Sequence, residues 1–143
     1  MTSPGAPRPA ATIAVVRDAP GGLEILLLRR AEKGDHNSGA WVFPGGLVDA
    51  GDRHCHCACA GLDDAKASVL LGVPEGGLDY YVAAIRESFE ESGILFAVDE
   101  RGQPIEMLVD SGTPLEALRE PLHRGDVAFA DVCRDFGLRL APD

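Results

Sequence analysis

No run of apolar residues in this chain approaches the roughly 20 needed to cross a bilayer as a helix. Residues 1–10, rich in Pro, Ala and Gly, have no apolar signal core. Neither a membrane span nor a secretory signal is expected, and a cytoplasmic location is. Basic residues are also few: 13 Lys and Arg stand against 23 Asp and Glu, a net charge of −10 with no long basic run. That balance argues against an electrostatic surface for nucleic acid or for anionic lipid. Of only four cysteines, three lie at Cys55, Cys57 and Cys59, too close together to make a disulfide framework. The same stretch, His54 to Cys59, is followed by no second ligand pair of the kind a zinc site needs, so it reads as a polar or half-buried loop. What remains is 143 residues, 45% of them hydrophobic, enough for one globular domain with an ordinary core. A polyanionic small molecule suits this charge as a substrate only if metal ions offset the repulsion.

The most informative stretch runs Ala83-Ala84-Ile85-Arg86-Glu87-Ser88-Phe89-Glu90-Glu91-Ser92-Gly93-Ile94. Read as a helix, it places Glu87, Glu90 and Glu91 on one face and Val82, Ile85 and Phe89 on the other. Three carboxylates at i, i+3 and i+4 repel one another. They also offer hard oxygens to Mg²⁺ or Mn²⁺. A solvated acidic face explains the helix alone equally well. Gly93 is a natural helix stop, and the apolar residues after it read as a strand.

A second stretch shifts that balance: Trp41-Val42-Phe43-Pro44-Gly45-Gly46-Leu47-Val48-Asp49-Ala50-Gly51-Asp52. Together the two resemble the split halves of a Nudix box, G-x5-E-x7-R-E-U-x-E-E-x-G-U with U aliphatic, preceded by a Phe-Pro-Gly-Gly strand end. Arg86-Glu87, Glu90-Glu91 and Gly93-Ile94 fit the pattern. Ser88 stands where an aliphatic residue is usual, and Asp52 where the first Glu is usual. Counting from Gly46, the arginine belongs at position 60 but lies at 86, an insertion of 26 residues. An interrupted box of this kind resembles the peroxisomal coenzyme A diphosphatase branch of the family and its bacterial relatives.

The rest of the chain punctuates itself. Residues 12–17 and 23–29 are apolar and β-rich around Asp18-Ala19-Pro20-Gly21-Gly22, which predicts a hairpin. Its near-continuous apolar character predicts strands covered on both faces. Residues 31–40 read as a loop and 41–43 as a short strand. In the insertion, about residues 53–78, Asp63 or Asp64 is placed to cap a short helix ending at Gly72. Asp79 is placed to cap the glutamate helix. Further on, 105–109 is a weak strand or part of a helix. Thr113, Pro114 and Glu116 form a capping-box pattern for a helix over 114–122. Asp126 is placed to cap a helix over 127–136, which Gly137 ends. Residues 138–140 are extended.

The resemblance implies an α/β (α+β) fold, a Nudix-like mixed sheet with flanking helices. Residues 1–10 would be a flexible tail and 11–143 the domain, with the insertion at about 53–78. The family continues with further strands and a late helix, whereas residues after Gly93 read mostly as helix here. The chain is therefore expected to be the N-terminal part of a longer domain, unless those elements are dispensable or come from a second subunit in a homodimer. The resemblance also implies metal-dependent hydrolysis of a pyrophosphate bond in a nucleoside diphosphate-linked substrate, coenzyme A or acyl-coenzyme A being the branch's own. Glu87, Glu90 and Glu91 would hold Mg²⁺ or Mn²⁺ with help from a carbonyl of Gly45 or Gly46. The catalytic set would be Glu87, Glu90 and Arg86. Glu87 would serve as a third ligand or as the base that takes the water proton, and Arg86 would orient a carboxylate, with Asp52 as its acidic partner. Arg29, Arg30 or residues 33–39 would contact phosphate or adenine. The upstream signature of other coenzyme A-cleaving relatives is not met, since Asn37-Ser38-Gly39-Ala40-Trp41-Val42 precedes Phe43. The alternative is a truncated, catalytically weak domain acting as a nucleotide-binding or assembly module.

Overall fold

A computed structural model describes residues 6–31, 39–105 and 112–142. The predicted hairpin forms from β2 (Val16–Ala19) and β3 (Gly22–Ile25), antiparallel around Pro20-Gly21, with Arg17 opposite Glu24 and ion-paired to it. The apolar run before it divides, because β1 (Ala10–Thr12) leaves the hairpin and pairs with β6 (Gly45–Leu47). Val48 N–H donates to the Pro9 carbonyl, so main-chain pairing already begins at the end of the expected tail. β4 (Leu28–Arg29) pairs with β5 (Trp41–Val42), and β7 (Ala97–Val98) with β8 (Arg139–Leu140). Among the described residues the strands thus form four antiparallel pairs in a mixed α/β fold. Cover on both faces of the hairpin is not found. Leu23 is 64% and Ile25 52% exposed, because no second layer packs over these strands among the described residues.

The core gathers around one helix, α2 (Gly77–Ser92), whose Val82, Ile85 and Phe89 are buried together with Leu95, Leu122, Phe129, Val132 and Leu140. Apolar side chains recurring every three or four residues give this helix one dry face. Its N-terminus is capped from outside. Asp64 accepts from Gly76 N–H (3.1 Å) and Leu78 N–H (2.9 Å), and Ser68 Oγ accepts from Gly77 N–H (2.9 Å). Asp79, expected as the cap, lies inside the first turn, since the helix begins at Gly77. It binds His56 Nε2 (2.7 Å) and Arg53 Nη2 (3.2 Å) instead. At the other end Gly93 takes φ +77°, and its N–H closes on Phe89 O at 2.9 Å, the left-handed cap that favours glycine.

The insertion is folded against this helix. It opens with a 3-10 helix over Asp52–Ala58, followed by α1 (Asp64–Leu71). Asp63 caps α1 through Lys66 N–H (2.9 Å), and Gly72 ends it, as the sequence indicates. A Cβ on Gly77 would collide with the backbone of Ala67 and Ser68, so α1 approaches α2 closely through small residues. Ala67 and Ser68 are buried there while Val69 faces outward. The cysteine stretch is not a loop. Cys55 is fully buried beside Cys133, whose thiol contact, together with burial, pushes the Cys55 pKa far above the usual thiol range.

Beyond α2, Thr113 Oγ1 accepts from Glu116 N–H at 3.2 Å, and Glu116 reaches back to Gly112 N–H at 2.9 Å. The predicted 114–122 helix is broken into a 3-10 turn over Glu116–Leu118 and α3 (Arg119–His123). α4 (Phe129–Asp135) starts later than its predicted cap: Asp126 pairs with Arg124 Nε (2.8 Å), and Ala128 precedes the helix. Of the predicted 105–109 segment, Ile105 donates to Ala97 O at 2.9 Å. The rest lies outside the described residues.

Candidate active site

Strand β6 runs down the acidic face of α2, so the two half-boxes, 26 residues further apart than in a continuous box, meet side by side. Gly45 N–H donates to Glu91 Oε2 at 3.0 Å. A side chain on Gly46 would occupy the place of the Glu87 carboxylate. The Leu47 carbonyl accepts from Arg86 Nη2 at 3.0 Å. The two glycines therefore have different physical reasons. Gly46 makes room for a carboxylate of α2, while a Cβ on Gly45 would lie 2.5 Å from the Ala11 carbonyl oxygen in the neighbouring strand.

One guanidinium ties the site together. Arg86 grips Asp52 with two hydrogen bonds, Nε to Oδ1 at 2.7 Å and Nη2 to Oδ2 at 3.1 Å. Its Nη1 reaches Glu87 Oε1 at 2.8 Å and Glu90 Oε1 at 3.2 Å. Asp52, 1% exposed, also accepts from Asp49 N–H at 2.8 Å. Asp52 begins the 3-10 helix, which carries a carboxylate one methylene shorter than the usual Glu up to the arginine. Burial works against the Arg86 charge, yet the bonds and attraction of Asp52, then of Glu87, outweigh it and hold its pKa above the ordinary value. Glu90 is shifted the other way for a carboxyl. Burial pushes its pKa up and nearby Glu87 adds to this, while Arg86 and His123 partly offset it.

Two residues at this site carried no signal in the sequence. His123 Nδ1 lies 3.5 Å from Glu90 Oε2. Arg119 Nε and Nη2 donate to the carbonyls of Phe89 (3.0 Å) and Glu90 (3.2 Å). Both come from α3, which no motif connects to the box.

A cavity of about 750 Å³ opens beside the glutamates, lined by Gly45, Glu90 and Glu91 and also by Arg29, Arg30, Arg119 and His123. Its size suits a nucleotide-sized ligand. A second, of about 530 Å³, lies on the Asp52, Arg86 and Glu87 side and shares Glu90 and His123 with the first. Arg29 and Arg30 thus stand on the wall of the larger cavity. Residues 33–38 of the proposed phosphate-binding loop lie outside the described residues.

The donor set suits a hard divalent cation: three carboxylates on one helix face, brought against a glycine strand end with space for one of them. Arg86 engages Oε1 of Glu87 and of Glu90 rather than Oε2 of either, and Glu91 Oε2 accepts from Gly45 N–H. Among the described residues no three His, Cys, Asp or Glu side chains already converge on one point. Chelation by all three glutamates would bring their carboxylates closer together than they stand here.

Three known proteins or families resemble this chain. A family model for the Nudix domain matches residues 7–59, which takes in the first half-box and ends before α2, where the insertion interrupts the pattern. The chain is 28% identical over 141 residues to the acyl-coenzyme A diphosphatase NUDT19 of Xenopus laevis, spanning 79% of this chain and 37% of that protein. A crystal structure of a Nudix hydrolase from Alicyclobacillus acidocaldarius superposes with a TM-score of 0.69 at 26% identity, over 94% of this chain and 57% of that one. The chain therefore spans about a third to just over half the length of these relatives. With the two halves of its box face to face and these three matches in agreement, the chain resembles the Nudix superfamily and, within it, the coenzyme A diphosphatase branch.

Proposed function

We propose that this domain hydrolyses a pyrophosphate bond in a nucleoside diphosphate-linked small molecule, with coenzyme A or acyl-coenzyme A as the substrate class. The observation that carries the reading is the meeting of Glu87, Glu90 and Glu91 with Gly45-Gly46 at the mouth of a nucleotide-sized cavity. The coenzyme A part is supported by the likeness to an acyl-coenzyme A diphosphatase. A net charge of −10 favours a free small molecule over nucleic acid or anionic lipid as partner.

Glu90 and Glu91 would hold Mg²⁺ or Mn²⁺, with Glu87 either completing the ligand set or serving as base. When bound, such an ion neutralises the diphosphate and makes a bound water acidic enough to yield a nucleophile. Arg86 keeps Glu87 and Glu90 in register by binding one oxygen of each while Asp52 anchors its far side. Arg29 and Arg30 place positive charge on the cavity wall, where the phosphates of the substrate need it.

The test is hydrolysis of coenzyme A, acyl-coenzyme A, ADP-ribose, NADH and dinucleoside polyphosphates with Mg²⁺ or Mn²⁺, beside a Glu90→Gln control. Metal-dependent turnover, lost by about 10²-fold or more in the control, is the expected result. The exposed apolar strand residues Leu23, Ile25 and Trp41 favour a second reading, a nucleotide-binding or assembly module. Nucleotide binding without turnover in a folded sample would select it.

A further inference from the structure

The carbonyls of the last turn of a helix have no partner within the helix and gather the negative end of its dipole. In α2 that turn carries Glu90 and Glu91, so main-chain and side-chain negative charge accumulate at one place. Arg119 answers both. Its Nε donates to Phe89 O at 3.0 Å and its Nη2 to Glu90 O at 3.2 Å. The guanidinium lies over Gly93, where a Cβ would come within 3.1 Å of Nη1. Gly93 thus has a second reason to be glycine besides its φ of +77°. One helical turn further along α3, His123 faces the Glu90 carboxylate at 3.5 Å. α3 therefore holds Glu90 from two sides, by its carbonyl and by its side chain.

We propose that Arg119 is a positioning residue for the hydrolytic site. It clamps the C-terminal turn of α2 and so fixes Glu90 and Glu91 relative to Gly45. The inference rests on the hydrolase reading given above. The physical warrant is the sensitivity of catalysis to placement, in which a shift of about 1 Å costs up to about 10²-fold in rate. A planar fork that takes two adjacent carbonyls is something arginine does and lysine does not.

Arg119→Ala, Arg119→Lys and Arg119→Gln are compared with wild type by three readouts. Hydrogen exchange of the metal-free protein is expected to show faster exchange at the amides of residues 91–93 in all three variants, with protection in α1 unchanged. Mn²⁺ titration is expected to show affinity weakened about fivefold or more. Kinetics are expected to show kcat lowered about tenfold or more with KM within about twofold, and partial recovery of Arg119→Ala by added guanidinium but not by ammonium. A KM rise with kcat intact would overturn the proposal and make Arg119 a substrate contact. Wild-type exchange and Mn²⁺ affinity in all variants would overturn it as well. If wild type itself shows no metal-dependent turnover, the hydrolase reading fails, while exchange at 91–93 still decides whether the clamp exists.

Discussion

Arg86→Met tests the centre of the site without any substrate. The replacement keeps most of the buried aliphatic volume and removes the charge. Asp52, 1% exposed, loses two charge-assisted hydrogen bonds at 2.7 and 3.1 Å and, among the described residues, keeps Asp49 N–H. Each such bond contributes about 1.5–3 kcal/mol, and stranding one member of a buried pair costs about 3–5 kcal/mol. Glu87 and Glu90 lose their shared donor as well. Arg86→Met is therefore expected to cost about 4 kcal/mol in urea unfolding, read as a shift in midpoint at constant slope. Arg86→Lys, which keeps the charge but not the fork, should fall between it and wild type. Asp52→Leu combined with Arg86→Met removes both charges, so the double variant should be more stable than the sum of the singles by about 2 kcal/mol or more. A cost below about 1 kcal/mol for Arg86→Met, or additivity within about 0.5 kcal/mol in the cycle, would refute the claim that this pair is a buried, mutually dependent unit.

Asp64 accepts from Leu78 and Gly76 N–H, and these bonds, Leu78 first, hold its pKa below the usual carboxylate value. A depressed folded pKa means the contribution is present above the unfolded pKa of about 3.9 and is lost as pH falls through the folded value. Asp64→Ala should therefore destabilise by about 1 kcal/mol at pH 7, as for loss of a helix cap, with the gap from wild type closing below about pH 4 in urea titrations. An equal gap at pH 7 and pH 3 would contradict this. Ser88 Oγ is fully buried with no hydrogen-bond partner among the described residues, so Ser88→Ala should be neutral or raise stability by up to about 1 kcal/mol. A loss above about 1 kcal/mol on thermal unfolding would show that the hydroxyl has a partner.

The local devices were legible because they depend on near neighbours in the chain. The alternation of Ile85 and Phe89 with Glu87, Glu90 and Glu91 requires a helix with one dry and one acidic face, and the structure buries the apolar set. Asp63 before α1, Gly72 and Gly93 at helix ends, and Thr113 with Glu116 all act through bonds spanning three or four residues. Two of the expectations failed because a distant group competed. Asp79 lost its cap role because Asp64 and Ser68 arrive from α1 and because His56 and Arg53 claim its carboxylate. Cys55 became core rather than loop because Cys133, 78 residues later in the chain, lies against it.

By itself, then, the sequence determined the acidic helix, its glycine stop, the strand-end glycines and the arginine that binds a carboxylate, since spacing along one helix or one turn is set by local geometry. Only the tertiary structure decided how the parts meet. It laid Gly45 against Glu91 and Gly46 against Glu87 across the insertion, swung Asp52 up to Arg86 on a 3-10 turn, and brought Arg119 and His123 onto Glu90. Those contacts join residues about 30 to 46 apart in the chain. Close approach over such separations depends on how whole elements pack, and no local pattern encodes it.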